Sequence, residues 1–120
     1  MKARAVAKYI KGSPQKARLV IDLIRGRNVT EALKMLKGTN KRAAGPIEIT
    51  LRSAIANAEQ KADQLNVAID VDNLVVKTAT VDLGPTKFRR RVRPAPMGRA
   101  YRERRWQNHI TIEVETQKED

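Results

Sequence analysis

Apolar residues recur at helical spacing in three stretches. Ala17, Val20, Ile21 and Ile24 follow an i, i+3, i+4, i+7 pattern and form one stripe. Gly12-Ser13-Pro14 stands just before it. Ser13 is a candidate N-cap, and Pro14 at the first helical position loses no hydrogen bond. Arg18, Asp22 and Arg25 fall on another face, with Arg18 and Asp22 spaced for a salt bridge, and Gly26 closes the helix. A second, shorter helix carries Ala32, Leu33 and Leu36, with Thr30 as its expected cap and Gly38 as its stop. The third stripe is the longest: Ala44, Ile47, Leu51, Ala54, Ile55, Ala58, Ala62 and Leu65 span about six turns at 3.6 residues each. Gly45-Pro46 interrupts its start. Either the helix begins at Pro46 or an earlier turn from Asn40 is kinked there.

After Asn66 the period drops to two. Val67, Ile69 and Val71 alternate with Ala68, Asp70 and Asp72, and residues 74–81 are rich in β-branched side chains. Ile110, Ile112 and Val114 alternate with His109, Thr111, Glu113 and Glu115, the cleanest strand pattern in the chain. Residues 3–10 predict another short strand. Between the last two strand regions, residues 84–106 have almost no apolar periodicity, and Pro94, Pro96 and Gly98 cluster at their centre. This predicts a long β-hairpin with its tip near residues 94–98. From Val81 to Arg91 an extended arm would reach roughly 30 Å at ~3.3 Å per residue. Helices followed by strands in this arrangement predict an α+β protein.

Charge changes the picture. The net charge is +12 over 120 residues, which calls for a polyanionic partner. Residues 1–42 carry a net +10 and residues 84–106 a net +8, while residues 43–83 and 107–120 each carry −3. Eight of the nine cations in 84–106 are arginines, which fork onto phosphate and are less hydrated than lysine. The residues expected to hold nucleic acid along the arm are Arg89, Arg90, Arg91, Arg93 and Arg99, with Lys87, Arg102, Arg104 and Arg105 near its base. Arg4, Lys8, Lys11, Lys16 and Arg18 form a second basic surface. Only four aromatics occur, Tyr9, Phe88, Tyr101 and Trp106, too few for base stacking to be the main binding device.

The absence of cysteine removes thiolate chemistry, and a single histidine cannot assemble an ordinary zinc site. Asp70 and Asp72 read as a solvated pair, and His109 as a surface or RNA-contacting histidine. No catalytic residue, metal or cofactor is expected. No run of eighteen apolar residues occurs, and the first residues carry a charge every few positions, so the expected location is cytoplasmic, without membrane insertion. Two main readings follow: an RNA-binding structural protein, or an architectural DNA-binding protein with an arginine-rich β-arm. The latter requires a dimer, and no second apolar face supports an obligate homo-oligomer. An RNA-processing enzyme is a third class, which would show turnover.

Ser13-Pro14 with QKARLVIDLIRGRNVTEAL (15–33), SAIANAE (53–59), VDLGP (81–85), GRA (98–100) and HITI (109–112) resemble the large-subunit ribosomal protein twenty-two family in its bacterial form, in order along nearly the whole chain. The resemblance implies three helices packed on a small three-stranded antiparallel sheet, with one long extended β-hairpin. It implies one domain over 1–120, with residues 82–104 as a protruding arm. The implied role is structural: binding large-subunit rRNA, supporting early subunit assembly and lining the nascent-peptide exit tunnel. On that basis Arg93, Pro94, Ala95, Pro96, Met97 and Gly98 line the tunnel at the hairpin tip, beside large-subunit ribosomal protein four and the passing nascent polypeptide. Ala95-Pro96 stand where the family pattern has Arg-Ala, and Gly45-Pro46 stand where it has an ordinary helical run.

Overall fold

The computed structural model describes residues 2–84, 90–94, 100–104 and 107–116. In chain order the elements are β1 (Lys2–Lys11), α1 (Pro14–Ile24), α2 (Val29–Gly38), α3 (Ala44–Gln64), a single 3-10 turn (Val71–Asn73), β2 (Leu74–Leu83), β3 (Arg90–Pro94), β4 (Ala100–Arg104) and β5 (Gln107–Thr116). The main sheet has the order β1-β5-β2 with both pairings antiparallel, while β3 and β4 form a separate two-stranded ribbon. The α+β class, the three helices and the three-stranded antiparallel sheet are thus as expected.

The strand pattern of β5 explains why it is central. Asn108, Ile110, Ile112 and Val114 are buried, and the residues between them are only half-buried. Their buried side meets Val20, Ile21 and Ile24 of α1, Leu36 of α2, and Ile47 and Leu51 of α3 in one core. Each fully buried Ile or Leu contributes roughly 1.5–3 kcal/mol. Ala3 and Ala5 on β1, with Ala54 and Ala58 on α3, put small side chains in the same core. That composition lets the α3 backbone lie close over β1.

Helix boundaries show where local chemistry and packing compete. α3 begins at Ala44, two residues before Pro46. Proline in the first turn sits where the N–H has no intrahelical acceptor, so neither the kinked turn nor the start at Pro46 is needed. α2 is capped by Asn28 rather than Thr30: the Asn28 side chain accepts from the Thr30 N–H at 2.9 Å. Its amide also donates to the Asp72 carbonyl, and Thr30 Oγ1 donates to Asp72 Oδ1 at 3.2 Å. Asn28 has both a donor and an acceptor to offer, so it can cap the helix and tie it to the turn before β2. Ser13 occupies the N-cap of α1, but its hydroxyl makes no capping bond; its carbonyl accepts the Ala17 N–H at 3.1 Å.

The alternating residues 67–71 do not extend a strand. α3 ends with Asn66 at φ +54°, and the Val67 N–H returns to the Ala62 carbonyl at 2.9 Å. This is the left-handed helix stop that Asn accepts almost as readily as Gly. The Asp70 side chain then accepts from the Asp72 N–H at 3.0 Å and closes the 3-10 turn. Local side-chain acceptors win over alternation because residues 67–70 join neither sheet.

Both edges of the main sheet receive donors from the helices and from the loop that follows α1. On β2, the Val76 carbonyl accepts from the Gly26 N–H at 2.9 Å, Ala79 from Arg25 Nη2 at 2.7 Å, and Val81 from Arg18 Nη2 at 3.0 Å. Gly26 holds φ +78°, a conformation that lets the loop turn onto the β2 edge with little strain for glycine. On β1, the Lys2 carbonyl accepts from Lys61 Nζ at 2.8 Å and the Arg4 carbonyl from Asn57 Nδ2 at 2.9 Å. Side chains one helical turn apart on α3 therefore reach alternate residues of one edge, which satisfies carbonyls that would otherwise template another strand.

Candidate nucleic-acid interface

The basic residues come together at one end of the main sheet. β2 and β5 run antiparallel to the pair Leu83↔Asn108, and the Gly84 N–H donates to the Gln107 carbonyl at 2.8 Å. A Cβ on Gly84 would come within 3.2 Å of that carbonyl oxygen, so glycine allows the two chains to close here. Lys11 pairs with Gln107 in the neighbouring ladder. Lys16 stands in the first turn of α1, directly after the turn that leaves β1. Lys11 and Lys16 thus gather at the end of the sheet marked by Gly84 and Gln107, and exposed Lys8 lies a few residues back along β1. Arg4 does not join them. It lies seven residues back along β1, opposite Glu113, which is roughly 23 Å away at ~3.3 Å per residue.

Arg18 has a structural task as well. Its Nε and Nη2 both donate to the Val81 carbonyl, at 3.2 and 3.0 Å. The expected Arg18–Asp22 pair is replaced by Arg25–Asp22 at 2.7 Å, because the β2 edge claims the Arg18 guanidinium. Arg18→Ala is expected to cost about 1–2 kcal/mol, because a charge-assisted bond disappears from a partly exposed site. The check is a lowered urea midpoint with an unchanged slope.

Within the ribbon, Arg90 pairs with Arg104, Arg91 with Glu103, Val92 with Arg102, Arg93 with Tyr101 and Pro94 with Ala100. Like charges placed opposite each other destabilise a ladder. Five arginines against one glutamate over ten residues is therefore a ribbon suited to lie against an anion. Pro94↔Ala100 is the last described pair before the tip. Lys87, Arg89, Ala95, Pro96, Met97, Gly98, Arg99 and Arg105 lie outside the described residues.

His109 is half-buried and accepts the Tyr9 N–H at Nδ1, at 3.2 Å. Since a backbone N–H can only donate, Nδ1 is the unprotonated nitrogen of this pair. Asp70 and Asp72 serve the turn before β2, and among the described residues no cluster of potential metal ligands occurs. Away from the basic end, Lys77 Nζ contacts Glu115 Oε2 at 3.0 Å. The roles of Arg25, Asn57 and Lys61 at the sheet edges had no signal in the sequence, because nothing local says which strand a helix will cover.

Residues 5–115 match the model of the family described as ribosomal protein L22p/L17e. The chain belongs to that family. It is 54% identical over 119 residues to the large ribosomal subunit protein uL22 of Solibacter usitatus, covering 99% of both chains. Against the protein of the same name from Halothermothrix orenii the identity is 52% over 119 residues, again with 99% of both chains covered. From Thermoanaerobacter pseudethanolicus, uL22 is 50% identical over 114 residues, covering 95% of this chain and 96% of its own. Membership in the L22p/L17e family makes this a ribosomal structural protein and not an enzyme.

Proposed function

We propose that this protein is built into the large subunit of the cytoplasmic ribosome by binding large-subunit rRNA, that it acts early in subunit assembly, and that its hairpin lines the nascent-peptide exit tunnel. Residues 82–104 are the arm of one domain spanning 1–120. Arg89, Arg90, Arg91, Arg93 and Arg99 contact phosphates along the arm, with Lys87, Arg102, Arg104 and Arg105 near its base. Arg4, Lys8, Lys11, Lys16 and Arg18 supply the second basic surface. Arg93 to Gly98 face the tunnel, beside large-subunit ribosomal protein four and the growing polypeptide.

The observation that carries this reading is the ribbon's own register. The register sets Arg90 opposite Arg104, like charges at paired positions destabilise a ladder, and an isolated two-stranded ribbon is marginal in water. A folded RNA supplies phosphates on more than one side of such an arm. The molecule's 67 Å length against 28 and 20 Å across agrees with an element that reaches away from the body.

The architectural DNA reading shares the arm, so affinities decide between them. Dissociation constants for a folded large-subunit rRNA fragment and for a bent duplex DNA are measured at matched salt. The expected result is tighter binding to the RNA by about a hundredfold, with the protein monomeric in sedimentation. Preference for the DNA, together with a stable dimer, overturns the ribosomal reading.

A further inference from the structure

Tyr9 is held in a strained backbone conformation. Its φ is +60°, in the left-handed region that favours glycine. It lies where the β1–β5 register shifts: Ala7 pairs with Ile110 and Ile10 with Asn108, so Lys8 and Tyr9 together oppose His109 alone. Such a bulge re-aims a side chain. Here the result is an aromatic ring 60% exposed. A core residue could offset the backbone strain by burial, but Tyr9 buries little. An Asn or Gly would make the same bulge with less strain.

The ring is nonetheless fixed. It meets the His109 ring edge-on, with centroids 5.1 Å apart and planes at 85°. The Tyr9 N–H also donates to Nδ1 of that histidine. Lys8 and Lys11 flank Tyr9 in sequence on β1, His109 lies opposite it on β5, and Asp82 pairs with His109 from β2. Lys8 and Lys11 are exposed. An exposed aromatic side chain with a cation on either side of it in sequence suits a flat π-system attached to a phosphate chain.

We propose that Tyr9 is a stacking post for one unpaired nucleobase of the bound RNA, with His109 as a positioning residue that holds the ring and the bulge. This inference rests on the rRNA-binding reading and adds a subsite to it. It does not make stacking the main source of affinity, which stays with the phosphates. Backbone strain of this kind clusters at functional sites.

The test uses the full chain and a large-subunit rRNA fragment, with wild type, Tyr9→Phe, Tyr9→Leu and Tyr9→Gly. Tyr9→Gly keeps the left-handed backbone and removes the ring. It is expected to weaken binding about tenfold, with the salt slope unchanged and the unfolding midpoint equal to or above that of wild type. Tyr9→Phe keeps the affinity, and Tyr9→Leu weakens it as Tyr9→Gly does. Photocrosslinking with thiouridine-substituted RNA should tag the peptide containing Tyr9 in the wild type. If the wild type binds the RNA and Tyr9→Gly binds it equally tightly, the stacking post is wrong while the broader reading stands. If the wild type does not bind the RNA, both fall.

Discussion

Ile112→Ala should lower the stability of this protein by about 3–5 kcal/mol, the upper part of the range for a buried Ile truncation. Ile112 is fully buried at the middle of the central strand. Its register partners on both sides are alanines, Ala5 on β1 and Ala79 on β2. Neither has a side chain long enough to swing into the vacated space, and backbone ladders on both sides resist collapse. The cavity therefore stays open. A domain of this size holds about 5–15 kcal/mol in total, so one substitution removes a large share. Val6→Ala is the control: Val6 is 45% exposed on the open face of the same sheet, and about 0.5 kcal/mol or less is expected there. Urea titration followed by far-ultraviolet circular dichroism reads both. A midpoint shift for Ile112→Ala no larger than for Val6→Ala would falsify the assignment of β5 as the keystone of the core.

The largest functional effect is expected from replacing Arg90, Arg91, Arg93, Arg102 and Arg104 together by glutamine. Each guanidinium removed from a phosphate should flatten the plot of log K against log salt by roughly 0.7–0.9 units. The quintuple variant then has a slope shallower by roughly four units, and its affinity for the rRNA fragment near 0.1 M salt falls by about a thousandfold or more. Glutamine keeps length and hydrogen-bonding capacity, so the change isolates charge. The body should remain folded, because the core and all edge-closing donors lie outside the ribbon. Arg18→Ala separates the two kinds of arginine, since its main effect is on stability. A quintuple variant that retains the wild-type slope would place the ribbon away from the RNA.

Much of the architecture was legible because it depends on period. The stripe from Ala17 to Ile24, the long stripe from Ala44 to Ala62 and the alternation from Ile110 to Val114 each place their apolar residues in the core. The antiparallel pairing of β3 with β4 was legible for the opposite reason: a charged, proline-punctuated stretch has nothing to bury. Errors fell where two local signals competed. Asn28 displaced Thr30 as a cap because it also had a partner in Asp72, forty-four residues away. Alternation at Val67 to Val71 gave way to the turns made by Asn66 and Asp70. Leu65, the last residue of the long stripe, is exposed because the helix has ended.

From the chain alone came the elements and the sign of the partner's charge, since hydrophobic period and net charge are properties of neighbours in sequence. Only the tertiary structure decided that β5 is the middle strand, that Lys8 and Lys11 share one end of the sheet with Lys16 and the neck at Gly84, and that Arg18 and Arg25 commit their guanidinium groups to the β2 edge. It also decided that Tyr9 faces outward from a bulge. These features depend on which strand pairs with which and on a register shift of one residue. Such choices are made by long-range packing, which leaves no periodic trace along the chain.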